Sequence, residues 1–581
     1  MKHAFHSISM AALLVLLAAC PRAMAAWQLD GIPLNPSPNN QVAPSVVSNG
    51  NGAVSLIWRE EQPGGSAIFG AGLTGYGNAT WLGNFPGPTG TLYFPGPGTT
   101  ASDGAGGEIA VWNTHISGNW DIVAQRIDIH GNPLWGPDGV FVCAATGDQD
   151  NPRLIADGAG GAICVWEDRR SDPFRDIYVQ RMNASGTMLW TSNGVAACAD
   201  GSFQALGSLI SDNAGGVVVA WDDARNPTID IYVQRINSAG NALWTANGMP
   251  FVITPANEHF GQMVASAPNG AIITWVVATP GPPPPPWQPA PMDHYEQYTR
   301  RLDFGGGLDW LANVQLCIAD GSRMAKAAVS DGAGGAIIAL YDNRYANTDI
   351  FLSRIDRFGN RVWSVGGVPL CTAAGEQLEP AMVPDGAGGA ILAWSDHRGG
   401  PAADIYAGHV DALGNALWAP NGIPVCAAPG NQSHPDMTPD GAGGVAIAWE
   451  DSRNGNSLVF AQRLNATTGE WGNSGATGVR DVPKSYQLEQ NYPNPFNPIT
   501  TISWKIQSAA TGNDLVPVRI EVYSPTGRLV RLLVDRPMPV GDYEVNWDGN
   551  DQEGQPVGSG VYYYRLVSKN ATESRKMVLV R

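Results

Sequence analysis

Lysine is scarce in the 581-residue chain. There are six, five of them outside the repeats described below and four beyond residue 483. Charged residues make up only 15%, and 52 acidic against 34 basic residues leave a net charge of −18. A surface so poor in cations excludes a general nucleic-acid binder. The seven cysteines include no C-x-x-C pair, so no zinc site is expected. The nine histidines are scattered with no H-E-x-x-H. Neither G-x-S-x-G nor a P-loop occurs. On this reading the chain carries no metal, no cofactor and no recognisable catalytic set. Beyond the N-terminus no apolar run is long enough to span a bilayer, so no integral membrane segment is expected.

What is abundant is glycine (71), proline (44) and tryptophan (20). Many turns and many large apolar anchors predict an all-β protein of short strands. Residues 1–25 read as a signal peptide: residues 11–19 are apolar, and Ala23-Met24-Ala25 offers a cleavage site before Ala26. Leu17-Ala18-Ala19-Cys20 also resembles a lipoprotein box, but Pro21 directly after Cys20 favours ordinary cleavage. A secreted or outer-surface location follows.

A repeat of about 54 residues fills most of the chain. Asp157-Gly158-Ala159-Gly160-Gly161, then an apolar strand ending in Trp166, recurs with anchors at 58, 112, 166, 221, 275, 340, 394 and 449, Leu340 replacing one Trp. A second Trp series, at 27, 81, 135, 190, 244, 310, 363, 418 and 471, has one member more. Each unit holds four strand candidates; in the third they are residues 153–156, 162–166, 176–182 and 194–198. Eight such units predict a β-propeller of eight four-stranded blades over residues 26–482. Seven blades with one unit outside is the alternative. The surplus Trp phrase suggests closure: residues 27–34 and residues 471–482 both look like the last strand of a unit, and one of them can complete a blade built from the opposite terminus.

Five units carry Trp-x-Asp-x-Arg or its equivalent: Asp168 with Arg170, Asp223 with Arg225, Asp342 with Arg344, Asp396 with Arg398, Asp451 with Arg453. Repetition at equivalent places predicts a structural buckle, a bidentate Arg–carboxylate pair, over a ligand site. The Asp of each glycine turn reads as a turn cap, since one carboxylate per turn is too little for calcium. Cys143, Cys198, Cys317, Cys371 and Cys426 share one repeat position and Cys164 another, so buried packing is expected of them, not disulfides. Units one, two and five are irregular. In the fifth, an insertion carries Pro282 to Pro286, and Trp275, Trp287 and Tyr295 are candidates for an aromatic platform binding a glycan or peptide.

From about residue 483 the composition changes, and residues 483–581 read as an immunoglobulin-like sandwich. Asn491-Tyr492-Pro493-Asn494-Pro495-Phe496-Asn497-Pro498, Gly527-Arg528, Trp547-Asp548-Gly549, Gly560-Val561-Tyr562-Tyr563-Tyr564 and Lys576-Met577-Val578 carry a resemblance. This region resembles the type A C-terminal sorting domain of type IX secretion substrates and the related Ig-like domain of flagellar hook-capping proteins. The resemblance implies the type IX secretion machinery as a partner, and surface attachment or release. The repeats themselves are similar to uncharacterised secreted bacterial repeat proteins, which implies no activity.

The expectation is thus a non-enzymatic propeller binding a glycan, protein or polymer. Its rivals are a carbohydrate-active hydrolase or lyase at the channel mouth, and a structural surface-layer protein. The enzyme reading requires two converging carboxylates, sought at Glu258, Asp293 and Glu296.

Overall fold

The computed structural model describes residues 27–50, 52–63, 65–85, 91–93, 96–116, 118–171, 173–279, 294–318, 323–345, 347–471, 486–506, 516–524, 528–539, 541–568 and 571–581. The expected signal peptide with Cys20, the proline run, Trp287, Asp293 and residues 472–482 lie outside these. The chain divides into two compact units, residues 1–475 and 476–581.

Regular structure among the described residues of the first unit is all β-strand, in eight antiparallel sheets. Blade 3 is typical, with strands Gln149–Ala156, Ala162–Asp168, Asp176–Met182 and Val195–Cys198 in sheet order. The strands expected from the sequence are found there, the first reaching four residues further back. The first strand of each blade packs on the first strand of the next, from Gln41–Gly50 round to Gln432–Pro439 and back, so the blades form a closed ring of eight. Blade 2 departs from the pattern, its inner strand being split into Thr91–Tyr93 and Thr100–Ser102.

Closure comes from the N-terminal side. Ile32–Pro33 pairs with Leu458–Asn465 as the outer strand of blade 8. The Trp27 indole donates to Gly75 O of blade 1 (2.8 Å). Five more of the second Trp series, at 135, 190, 310, 363 and 418, do the same between consecutive blades, as Trp135 to Ala184 O (3.0 Å) and Trp190 to Ser238 O (3.0 Å), while the Trp81 Nε1 is buried without a partner. Trp471, the surplus copy, is 46% exposed.

The first-series Trp residues are buried between sheets. In four blades the indole donates to the buckle aspartate, as Trp166 Nε1 to Asp168 Oδ2 (2.7 Å). The same carboxylate takes a bidentate pair from Arg170, Nε to Oδ1 (2.9 Å) and Nη2 to Oδ2 (2.5 Å). All five buckle guanidiniums lie 3.7–4.0 Å over a Tyr or Phe ring of their own third strand. In blade 6, where Leu340 replaces Trp, the buried Arg323 donates to Asp342 instead (3.0 Å).

The buckle reaches further than one blade. Arg170 Nη2 donates to Cys143 Sγ (3.2 Å) on the outer strand of blade 2, and Arg225, Arg344, Arg398 and Arg453 each meet the preceding blade's cysteine at 3.0–3.3 Å. The cysteines after Cys20 are all buried and unbridged, and burial pushes the Cys143, Cys371 and Cys426 thiols up to about 12. The glycine-turn aspartate is a cap, Asp157 Oδ1 accepting from Ala159 N and Gly161 N (both 2.8 Å). Its Oδ2 holds Arg181 of the third strand (2.9 Å), a partner the sequence reading did not assign.

The second unit is a two-sheet sandwich. One sheet contains Tyr486–Leu488, Thr500–Ile506 and Gly541–Trp547; the other runs Leu529–Met538, Val516–Tyr523, Gly560–Ser568, Ala571–Leu579. Trp504, Trp547, Ile520, Tyr564 and Met577 fill the space between. The Asn-Tyr-Pro motif is a clasp. Asn491 is buried, its N donating to the Tyr564 hydroxyl (2.7 Å) and its Nδ2 to Thr500 Oγ1 (2.8 Å). Phe496 is buried against Trp547, while Asn494 Oδ1 accepts from Val578 N (2.8 Å). Tyr492 points outward, 82% exposed.

Candidate functional site

In each regular blade the start of the first strand, the end of the second and the start of the third meet at one end of the sheet. Gln149 pairs with Asp168, and Asp168 with Asp176. The buckles mark this face of the ring. Just inside it the inner strands carry β-bulges, which re-aim side chains. In blades 7, 8, 1 and 3 the bulge holds a non-glycine residue in the left-handed region: Glu379 (φ 55°), His434 (φ 53°), Ala43 (φ 57°) and Asn151 (φ 50°). Such residues are uncommon, and held where they cluster they mark places to look for function.

Around them lies a cavity of about 530 Å³, lined by blades 7, 8 and 1 and by Tyr93 and Pro97 of blade 2. One imidazole stands between two carboxylates: His434 Nε2 is 3.1 Å from Glu379 Oε1, and His434 Nδ1 is 3.6 Å from Glu450 Oε2. Both acids are fixed by backbone. Glu379 Oε2 accepts from His434 N (2.8 Å) and Ser395 Oγ (2.8 Å), and Glu450 Oε1 accepts from Ala43 N (2.8 Å). Burial, with Glu379 nearby, holds the Glu450 carboxyl above the usual range. Asp436 also lines the cavity; burial pushes its carboxyl up to about 6, against the bond it accepts from Val46 N (2.9 Å). The Arg59 guanidinium sits 4.7 Å over the Tyr93 ring, which is 47% exposed.

Tyr93 also borders a second cavity, of about 350 Å³, whose other walls are Asn113, Trp120, Asp150 and Asn151 of blades 2 and 3. Trp120 is held edge-on to His115 at 5.1 Å.

The residue between Trp and Asp of the buckle phrase emerges as a staple at this face. Glu167 accepts from Leu206 N (2.9 Å) and Asp222 from Phe260 N (2.7 Å), each on the next blade's inner strand, as Glu450 does with Ala43. The Tyr341 hydroxyl takes Glu379 N in the same way. This position varies among Glu, Asp, Tyr and Ser, so no motif reveals it.

The blade 5 expectations fare differently. Trp275 is 1% exposed, stacked on Tyr298 at 6.0 Å and edge-on to Phe251 at 5.7 Å, so its ring has no face left for a ligand and belongs to the core. Tyr295 lies half-buried opposite Ala278 on the third strand. Glu258 and Glu296 are aligned across Val277, but Glu258 is wholly buried and bonded by the Thr254 hydroxyl, and Glu296 accepts from the Tyr298 hydroxyl (2.6 Å). The converging carboxylates sit instead at blades 7 and 8. Among the described residues no group of three or more His, Cys, Asp or Glu is arranged to hold a metal ion.

Solved structures similar to the chain include an α-L-arabinanase of Penicillium chrysogenum, 10% identical, covering 75% of this chain and 98% of that one with a TM-score of 0.34. A GH93 α-L-arabinofuranosidase of Fusarium graminearum is 11% identical over 76% of this chain and 98% of that one, TM-score 0.33. PorZ, a surface component of the type IX secretion system of Porphyromonas gingivalis, is 10% identical over 96% and 100%, TM-score 0.19. No curated protein matches. Residues 502–572 match the FlgD Ig-like domain family, within the second unit.

Proposed function

We propose that the protein is an exported, surface-located or released β-propeller that binds a neutral, hydroxyl-rich ligand, a glycan, at the cavity between blades 7, 8, 1 and 2. The observation that carries this reading is the pair of backbone-fixed carboxylates on His434, facing the Tyr93 ring across one cavity. Carboxylates accept from vicinal hydroxyls and an aromatic ring covers an apolar sugar face, the mixture of apolar wall and few polar groups that small-molecule sites use. Glu379, Asp436 and Glu450 disfavour an anionic ligand. Residues 1–25 serve as the export signal and residues 483–581 as the sorting module that engages the type IX machinery, with the propeller spanning residues 26–482.

Glycan-array binding of the full secreted chain, followed by calorimetric titration, tests it. Glu379→Gln and His434→Ala are expected to weaken binding at least tenfold while thermal stability is retained. Absence of binding to every neutral glycan overturns the reading. A second reading, hydrolysis, rests on Asp436 lining the same cavity as Glu379 and Glu450, where a carboxyl that burial holds above its usual range can serve as general acid. Release of new reducing ends from a bound glycan, lost in Asp436→Asn, would select it.

A further inference from the structure

Resting on the glycan reading, we propose that the ligand is a linear chain laid along the arc from blade 7 to blade 3, crossing Tyr93 from the first cavity into the second. Tyr93 is a wall of both cavities, so the two are neighbours on one face and share a single exposed aromatic ring. Arg59 covers one face of that ring. The far cavity repeats the chemistry of the near one with different residues: an aromatic wall, Trp120, and polar groups, Asp150, Asn113 and Asn151. Asn113 Nδ2 is spent on Gln149 O (2.6 Å), which fixes its side chain in place.

The left-handed bulge residues trace the same arc. Glu379, His434 and Ala43 line the first cavity and Asn151 the second. The inner strands of blades 4, 5 and 6 also shift register, yet among their described residues no non-glycine bulge position is left-handed. Between blades 1 and 3, the inner strand of blade 2 is split where Tyr93 stands. Five consecutive blades, 7, 8, 1, 2 and 3, are thus contoured at this face, and blades 4, 5 and 6 are not. A compact ligand would need only the first cavity; two joined cavities sharing an aromatic wall suit a chain that stacks on successive rings.

The test is titration of the full chain with neutral gluco-, xylo-, manno- and arabino-oligosaccharide ladders of two to eight units. Affinity is expected to climb at least tenfold from disaccharide to hexasaccharide in the ladder that binds. Trp120→Ala is expected to bring the hexasaccharide down to the disaccharide level, and Trp120→Phe to restore most of the gain, which separates lost stacking from misfolding. A disaccharide that binds as tightly as the hexasaccharide, or a Trp120→Ala loss equal at every length, overturns the extended groove while leaving the first cavity as the site. Failure of every ladder to bind overturns the glycan reading itself.

Discussion

Trp166 and Trp112 occupy the same place in consecutive blades, and only one has a partner for its indole. Trp166 donates to Asp168, whereas Trp112 and Trp58 have buried Nε1 atoms without a hydrogen bond. Blades 3, 4, 6, 7 and 8 are buckled; blades 1, 2 and 5 are not. The difference is a matter of interfaces. Each buckle aspartate lies 25 residues after a cysteine of the preceding blade: 143 and 168, 198 and 223, 317 and 342, 371 and 396, 426 and 451. Where the preceding outer strand ends in Val252, blade 5 has no buckle. The Asp, Arg and Cys form one unit across a blade boundary and occur together in all five buckled blades, whereas the anchor Trp also stands in the unbuckled blades and gives way to Leu340 in blade 6. A buried charge needs its full set of partners, and partial sets are costly.

The largest effect is expected from Asp396→Ala, which strands Arg398 and the Trp394 indole; a loss of about 3–5 kcal/mol is expected by calorimetric unfolding. Glu60→Ala, at the equivalent position of unbuckled blade 1, is expected to cost well under half of that, and equal losses would break the comparison. Trp27→Ala opens the closing staple and is expected to cost about 3–5 kcal/mol. Trp471→Ala, at the exposed surplus copy, is expected to stay within about 0.5 kcal/mol. Chemical denaturation of both variants reads the contrast.

Unbuckled blade 2 also carries Glu108 where the regular blades place Ala162, Val217, Ala336 or Ala390. Burial raises its carboxyl from 4.5 to about 8, against the opposing pull of the Ser55 hydroxyl. Its protonated form is favoured by the fold, so its contribution is fully present below the unfolded value near 4.5 and is lost as pH rises through about 8. Glu108→Gln is expected to flatten the fall in stability between these limits by an amount on the order of 5 kcal/mol. A melting series at stepped pH with an unchanged slope would contradict this. A modest effect is expected for Cys371→Ala, about 1 kcal/mol by chemical denaturation, since the Arg398–Asp396 pair survives it.

The sequence made the blades legible because Trp and the glycine turn repeat with nearly constant spacing. Closure was legible as well, from one Trp phrase more than there are units, but not which terminus supplies the closing strand, since residues 27–34 and 471–482 carry the same phrase. Carboxylates and aromatics at the candidate site were not. Glu379 and His434 lie in two of the most regular units, at bulges whose extra residue is invisible to a period-two strand pattern. Attention to irregular units found blades 1 and 2, which supply Arg59 and Tyr93, but led also to Trp275, whose periodic place already assigned it to the core. In the second unit, Arg531, Asp535 and Arg536 interrupt the apolar alternation of strand Leu529–Met538, so its pattern does not announce a strand.

Ile32–Pro33 meets Leu458–Asn465 across more than four hundred intervening residues. A contact of that sequence separation is among the last a chain can make, because the entropy of closing so long a loop must be met before the pairing repays it. Seven blades can be assembled from neighbours alone, but the eighth waits for both ends. The ring therefore behaves as a lock with a single late step, and a chain cut or delayed near either end of the propeller keeps an open edge for as long as that step is outstanding.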